Sequence, residues 1–184
     1  NGGSGTKEHP TQAMLDLLTI YKEMNGKLDG LKVALCGDLK YGRTVKSLAY
    51  ALANYDVEIN FVSPPSLKMR NEVITDLKQI NVPIKEYTEI SENIDEMDVI
   101  YMTRIQKERF PDPADYTKVT GTYRLTADML DNVKDTLIVM HPLPRVEEID
   151  YNVDKTKHAR YFQQTRYGVL LRMALLVLVL GIPL

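Results

Sequence analysis

A regular alternation of short apolar segments with segments of helical periodicity is the feature that most constrains the fold of this chain. Apolar segments of strand length lie at 31–36, 57–61, 99–102 and 137–140, with a weaker one at 82–87. Helix-like segments between them lie at 45–52 and 67–80. Apolar strands separated by helices are typical of a parallel sheet that is covered on both faces. The alternation predicts an α/β fold: a doubly wound, mostly parallel, Rossmann-like sheet with helices on both faces.

The two ends of the chain differ from this central pattern. Residues 1–5 are glycine-rich and predict either a flexible linker or a turn that feeds the next element. A helix is predicted to begin at Pro10, with His9 at its entry, and to end at 25–26. The last helix, roughly 161–180, is apolar nearly all round and is therefore expected to be buried, against this domain or against something outside the chain. Thr126 is predicted to cap a short helix.

Composition excludes several classes of protein. The chain has 184 residues and a formal net charge of -2, and its basic residues are spread out, so no nucleic-acid partner is expected. Its one cysteine, Cys36, lies in an apolar run, which predicts a buried inert thiol and a reducing compartment. The longest apolar run is shorter than the roughly 20 residues that cross a bilayer, and we expect no signal peptide. We expect a cytoplasmic protein without a membrane partner, and the initial Asn1 indicates a piece of something longer.

Arginine follows three of the four main predicted strands. Arg43 lies in the loop after the first strand, Arg104 follows the strand at 99–102, and Arg145 follows the strand at 137–140. Ligands of an open parallel sheet bind beyond the carboxyl ends of its strands. Because guanidinium groups bind carboxylate or phosphate with two hydrogen bonds, these loops predict a small ligand with more than one anionic group.

The loop at 37–44 also raises a competing hypothesis of nucleotide binding. Gly37, four residues, Gly42, Arg43 and Thr44 match a phosphate-binding P-loop, except that arginine replaces the lysine. The lysine of such loops acts as a compact point charge, which arginine does not imitate. A P-loop-like nucleotide-binding module therefore stays open as an alternative.

Two further segments carry candidate chemistry. His9 lies at a helix entry, where a lone histidine is more often structural or solvated than catalytic. The segment 141–144 contains two prolines around Leu143, which stiffen the chain and remove two N–H donors. What remains is a row of carbonyl oxygens able to accept hydrogen bonds from an NH2 group. The alternative is a tight turn after a strand.

Taken together, these motifs resemble the catalytic chain of the aspartate carbamoyltransferase family. The resemblance rests on His-Pro-Thr-Gln at 9–12, the loops at 37–44 and 102–109, His-Pro-Leu-Pro-Arg at 141–145 and Tyr-Phe-Gln-Gln at 161–164. They occur in the family's order and at its spacing, and they cover essentially the whole chain. The ornithine carbamoyltransferase family is the second alternative, but it carries Cys-Leu-Pro where this chain has Pro-Leu-Pro at 142–144.

The resemblance implies a role for seven residues. Arg43 would bind the α-carboxylate of L-aspartate, and Arg104 with Gln106 would bind its β-carboxylate. His9 would donate to the carbonyl oxygen of carbamoyl phosphate. Gln12 and the backbone carbonyl of Leu143 would hold the carbamoyl NH2, with Pro144 beside them. No metal and no cofactor are implied.

The resemblance also implies that half of the enzyme lies outside this chain. The family has an earlier carbamoyl-phosphate domain with a Ser-Thr-Arg-Thr loop, which is not found here, so we expect the chain to be inactive alone. Residues 1–26 would form a glycine-rich turn and interdomain helix, 27–160 the aspartate-binding domain, and 161–184 a second interdomain helix. A homotrimer, with or without a regulatory chain, is implied for the parent enzyme. Ser4 and the segment 165–168 depart from the family pattern, and Tyr116 falls in its mobile loop or in a surface turn.

Overall fold

A five-stranded sheet forms the centre of the computed structural model, which describes residues 7–105, 116–117 and 123–181. The strands are β1 (Leu31–Cys36), β2 (Val57–Val62), β3 (Ile84–Tyr87), β4 (Val99–Met102) and β5 (Ile138–Met140). They lie in the order β3-β2-β1-β4-β5, and every pair is parallel. The predicted doubly wound α/β fold is confirmed, and the described sheet is wholly rather than mostly parallel.

Four α-helices accompany the sheet in the described part of the chain. They are α1 (Pro10–Glu23), α2 (Arg43–Leu52), α3 (Asn71–Gln79) and α4 (Tyr161–Leu180). Short 3-10 turns occupy Pro65–Leu67, Ile94–Glu96, Asp128–Leu130 and Tyr151–Lys155. The helix α2 connects β1 to β2, and α3 connects β2 to β3, so these two units form successive crossovers of the kind that parallel strands require.

Alternate side chains of the strands divide the core into two layers. Val33 and Leu35 pack with the buried faces of α1, α2 and α3 on one side of the sheet. Ala34 and Cys36 face the other side, where 3-10 turns and Tyr161 at the start of α4 cover them. Cys36 is buried as predicted, and burial raises the pKa of its thiol. The apolar character of both faces explains why the strands were recognisable as runs rather than as alternating patterns.

Two predicted helix boundaries were wrong. The helix α3 begins at Asn71 and not at residue 67, because the backbone is extended at Lys68 and at Arg70. Leu67 and Met69, which alternate with these two residues, are buried. Thr126 is not a cap: the turn near it begins at Asp128, and no side chain caps it. In the first place helical spacing, and in the second a capping residue, was outweighed by the way the segment packs on the core.

The helix α4 is mostly exposed, so of the two surfaces expected to bury it, this domain covers only part of its first half. Tyr161, Gln164 and Gly168 are its buried residues, all in its first half. Leu178 and Val179 in the last turns are 69% and 80% exposed. Within the described ranges, no helix is long and apolar enough to cross a membrane. An apolar surface of this extent on a described helix indicates a contact site for another protein surface.

Candidate functional site

A cleft of about 190 Å³ opens at the carboxyl ends of β1, β4 and β5. All the predicted site residues that the structure describes line it, whereas Gln106 lies outside the described residues. The lining residues are His9, Gln12, Asp38, Gly42, Arg43, Thr44, Thr103, Arg104, His141, Pro142, Leu143 and Pro144. The strand order changes direction between β1 and β4, and the cleft lies at this switch point, where open α/β sheets bind their ligands.

Close backbone contact holds the loops after β1 and β4 together. The Thr103 hydroxyl donates to the Cys36 carbonyl at 2.9 Å and accepts from the Asp38 N–H at 3.1 Å. Gly37 has φ +107, and a Cβ on it would lie 2.4 Å from the Thr103 carbonyl oxygen. Only glycine permits this approach. It places Arg43 and Arg104, one in each loop, in the same cleft.

The loop at 37–44 is built differently from a phosphate-binding loop. The Asp38 carboxylate accepts the Tyr41 N–H at 2.9 Å, so an acidic side chain occupies the inside of the loop. Gly42 caps α2, and a Cβ on it would lie 2.3 Å from the Asp38 carbonyl oxygen. A carboxylate repels the phosphate that such a loop would otherwise bind. The geometry therefore disfavours nucleotide binding, and Arg43, the first residue of α2, is the basic residue of this loop that lines the cleft.

His9 enters the cleft from the start of α1. Its backbone N–H donates to the Ser47 hydroxyl at 2.9 Å, and that hydroxyl donates to Glu8 at 2.8 Å, which ties α1 to α2. Burial, reinforced by the positive charges of Arg43 and Arg172, lowers the pKa of His9 below its usual value. The imidazole is therefore neutral at neutral pH and has one N–H to donate. Such a group can donate a hydrogen bond to an oxygen that becomes negatively charged.

The turn at 141–144 is fixed by two buried side chains. The Leu143 N–H donates to His141 Nδ1 at 2.8 Å, so Nε2 carries the proton and donates to Glu148 at 2.6 Å. Burial opposes ionisation of Glu148, but its hydrogen bonds with His141 and with backbone N–H groups outweigh burial and hold its pKa below the usual value. Leu143 has φ +46 and precedes a cis peptide bond to Pro144. The hydrogen bonds of His141 and Glu148 therefore hold the turn that carries the Leu143 carbonyl.

A buried carboxyl group beneath the cleft was missed by the sequence analysis. Asp16, on α1 one turn after Gln12, is fully buried. Its Oδ1 accepts from Gln12 Nε2 at 2.8 Å and from Gln164 Nε2 at 2.7 Å. Burial raises the pKa of Asp16 to about 7, while its contacts with Tyr101, Gln12 and Gln164 oppose the rise. The sequence gives no local signal of this burial, because its partner Gln164 lies 148 positions away along the chain.

The raised pKa of Asp16 predicts that stability falls as pH rises. Between pH about 4 and about 7 an unfolded chain ionises this carboxyl while the folded chain keeps it protonated, which favours unfolding by up to about 4 kcal/mol. Asp16→Asn removes this titration. In urea unfolding at pH 5 and pH 8, wild type should lose stability relative to the variant at the higher pH. If the difference in the free energy of unfolding between wild type and Asp16→Asn is the same at both pH values, the pKa of Asp16 is not raised.

Comparison with known proteins places this cleft in a family. Residues 29–179 match the family model described as "Aspartate/ornithine carbamoyltransferase, Asp/Orn binding domain". The chain is 57% identical over 182 residues to the aspartate carbamoyltransferase catalytic subunit of Methanocella arvoryzae. It is 58% identical over 177 residues to that of Methanosphaera stadtmanae. These alignments include 99% and 96% of this chain but 59% and 57% of the relatives.

Solved structures give the same result. The catalytic subunit of M. jannaschii aspartate transcarbamoylase superposes with a TM-score of 0.88 at 50% identity, over 96% of this chain and 57% of that chain. Aspartate transcarbamoylase from Trypanosoma cruzi, in complex with carbamoyl phosphate and aspartate, superposes with a TM-score of 0.86 at 38% identity, over 96% of this chain and 56% of that chain. The chain thus spans a little over half the length of these relatives. The predicted resemblance is confirmed, the ornithine and nucleotide alternatives are not favoured, and the chain belongs to the aspartate/ornithine carbamoyltransferase family, of which it holds the Asp/Orn binding domain.

Proposed function

We propose that this chain supplies the aspartate site of a transferase that moves a carbamoyl group from carbamoyl phosphate to the amine of L-aspartate. The products are N-carbamoyl-L-aspartate, a precursor of pyrimidines, and phosphate. The observation that carries the proposal is that Arg43 and Arg104 line one cleft together with His9 and the carbonyl row at 141–144. No metal ion or cofactor takes part in the proposed reaction.

The two arginines suit a ligand with two carboxylates. Each guanidinium can bind a carboxylate with two parallel hydrogen bonds, which fixes orientation as well as charge. We assign the α-carboxylate of aspartate to Arg43 and the β-carboxylate to Arg104, with Gln106 as a further partner of the β-carboxylate. Ornithine carries a cationic side chain in place of the second carboxylate. Two cationic groups at one cleft therefore favour aspartate.

The other side of the cleft suits the carbamoyl group. His9 would donate to the carbonyl oxygen, while the amide oxygen of Gln12 and the carbonyl of Leu143, next to Pro144, would accept from the NH2. Attack of the neutral aspartate amine on the carbamoyl carbon forms the N–C bond and places negative charge on the oxygen that faces His9. The bond between the carbamoyl carbon and the phosphate oxygen then breaks, and the departing phosphate takes the proton that the amine loses. Juxtaposition of the substrates and a donor at the developing charge would provide the catalysis, without a covalent enzyme intermediate.

Phosphate binding requires residues beyond those of this cleft. We propose that an N-terminal carbamoyl-phosphate domain completes the site and packs on α1 and on the exposed apolar face of α4. In this arrangement 1–26 and 161–184 are interdomain segments around the domain 27–160. The exposed residues Val169, Met173 and Leu176 on α4 would lie in that contact. A homotrimer, with or without a regulatory chain, and a cytoplasmic location belong to the same proposal.

Calorimetry and a transferase assay test this function. The chain by itself should bind L-aspartate and succinate but not ATP, because the cleft has two arginines and the loop at 37–44 holds an acidic side chain. It should form no detectable carbamoyl-aspartate until it is joined to the carbamoyl-phosphate domain in the full-length protein. Binding of ATP in preference to aspartate would refute the proposal, as would normal turnover by the isolated chain.

A further inference from the structure

We propose that Asp16 is a positioning residue that orients the two hydrogen-bond acceptors for the carbamoyl NH2. This inference deepens the proposed function and rests on it. Asp16 does not line the cleft, but it contacts Gln12, which does, and Gln164, which holds the turn at 141–144. One buried carboxyl group therefore connects both halves of the acceptor site.

The first connection fixes the amide of Gln12. Gln12 Nε2 donates to Asp16 Oδ1 at 2.8 Å, and both side chains are buried. The opposite amide orientation would bring two oxygen atoms to this distance and leave the NH2 group facing the cleft. Oδ1 accepts two N–H groups and stays an acceptor whether the carboxyl group is ionised or carries its proton on Oδ2, so it selects the orientation in which the amide oxygen of Gln12 is left for the cleft. The cleft then offers an acceptor, which an NH2 group needs.

The second connection fixes the turn. Gln164 Nε2 donates to the same Oδ1 at 2.7 Å, and Gln164 Oε1 accepts the His141 N–H at 2.9 Å. The carboxyl group of Asp16 again accepts from the NH2 of an amide, which leaves the amide oxygen of Gln164 to accept the His141 N–H. The His141 backbone begins the turn that carries the Leu143 carbonyl. A buried and fully connected network of this kind holds its members in one arrangement.

A pair of ligands that differ in one group tests the proposal on the full-length protein. Phosphonoacetamide carries the NH2, and 2-oxopropylphosphonate carries a methyl group in its place. Wild type should prefer the amide by roughly tenfold in Kd, because only the amide donates to these acceptors. Asp16→Ala should abolish the preference and lower kcat by roughly 10- to 100-fold while KM for aspartate stays nearly constant.

Conservative and matched variants separate positioning from a general structural role. Asp16→Asn keeps a carbonyl oxygen and should restore the preference for the amide. Thr19→Val is the matched control: it removes a buried hydroxyl one turn further along α1, and in wild type this hydroxyl donates to the Leu15 carbonyl. This variant should keep the wild-type preference for the amide ligand. If Asp16→Ala does not fold, Gln164→Met replaces it, because this change removes the second connection alone and should reduce the preference.

The outcomes are distinct. Equal weakening of both phosphonates by Asp16→Ala would show a structural role only and would overturn the inference, as would a preference that survives both Asp16→Ala and Gln164→Met. A wild-type protein that does not prefer the amide, or does not carbamoylate aspartate, would instead refute the proposed function. Loss of preference in Asp16→Ala with rescue in Asp16→Asn supports the inference.

Discussion

Arg104→Ala in the full-length protein should lower kcat/KM for aspartate by about 10³-fold, because a buried carboxylate of the substrate would lose its charged partner. Phosphonoacetamide should bind with unchanged Kd, since Arg104 is assigned to the other substrate. Arg104→Lys should have a kcat/KM for aspartate between those of wild type and Arg104→Ala, because a single ammonium keeps the charge but cannot form two parallel hydrogen bonds with a carboxylate. Steady-state kinetics at varied aspartate, together with calorimetry, measure these effects.

A second arginine provides the matched control for Arg104. Arg124 is exposed and pairs with Asp150, away from the cleft. Arg124→Ala removes the same side chain from the surface and should change kcat/KM by less than about twofold, as exposed ion pairs contribute little. Equal losses in the two variants, or an Arg104→Ala protein with normal aspartate kinetics, would show that Arg104 does not bind the substrate.

His9→Ala should lower kcat by about 10²- to 10³-fold, the loss that follows removal of one donor to a developing oxyanion. KM for aspartate should change little, because His9 is assigned to the carbamoyl oxygen. Since the pKa of His9 is lowered, the imidazole stays neutral as pH falls to its usual pKa of 6.5, and wild-type kcat should not follow a titration there. His9→Asn, which keeps an N–H donor, should recover part of the activity.

A histidine outside the cleft separates this effect from a loss of folding. His158 is buried, and its Nδ1 contacts the Leu137 carbonyl at the amino end of β5. His158→Asn keeps that contact and should leave kcat near wild type. A wild-type pH profile with an ascending limb controlled by His9, or a normal kcat in His9→Ala, would rule out its role as a neutral donor.

The sheet and the meeting of its loops could be predicted because both follow from simple geometry. Strands such as β1 and β4 are buried on both faces, so they stand out as apolar runs, and parallel strands bring their following loops to one edge. The sequence therefore predicted that Arg43 and Arg104 lie at the same edge of the sheet. Their assignment to particular carboxylates came from the family resemblance and stays a prediction.

The buried polar groups could not be predicted in the same way. Asp16 and Glu148 look like ordinary surface acids in a sequence, because their burial depends on partners that are distant along the chain. Asp16 meets Gln164, which lies 148 positions away. The exposure of α4 was one of two alternatives that the sequence left open, because an all-round apolar helix indicates burial without showing which surface covers it.

The contact between Gly37 and Thr103 has a consequence for the length of the ligand that is proposed to bind in the cleft. The two loops that carry the guanidinium groups touch where the Gly37 backbone meets Thr103, and the Thr103 hydroxyl bonds the Cys36 carbonyl. If Arg43 and Arg104 bind the two carboxylates as proposed, the spacing of these loops sets part of the distance between the two anion sites. We therefore expect a change in the backbone at this contact to alter the preference among dicarboxylates of different chain length.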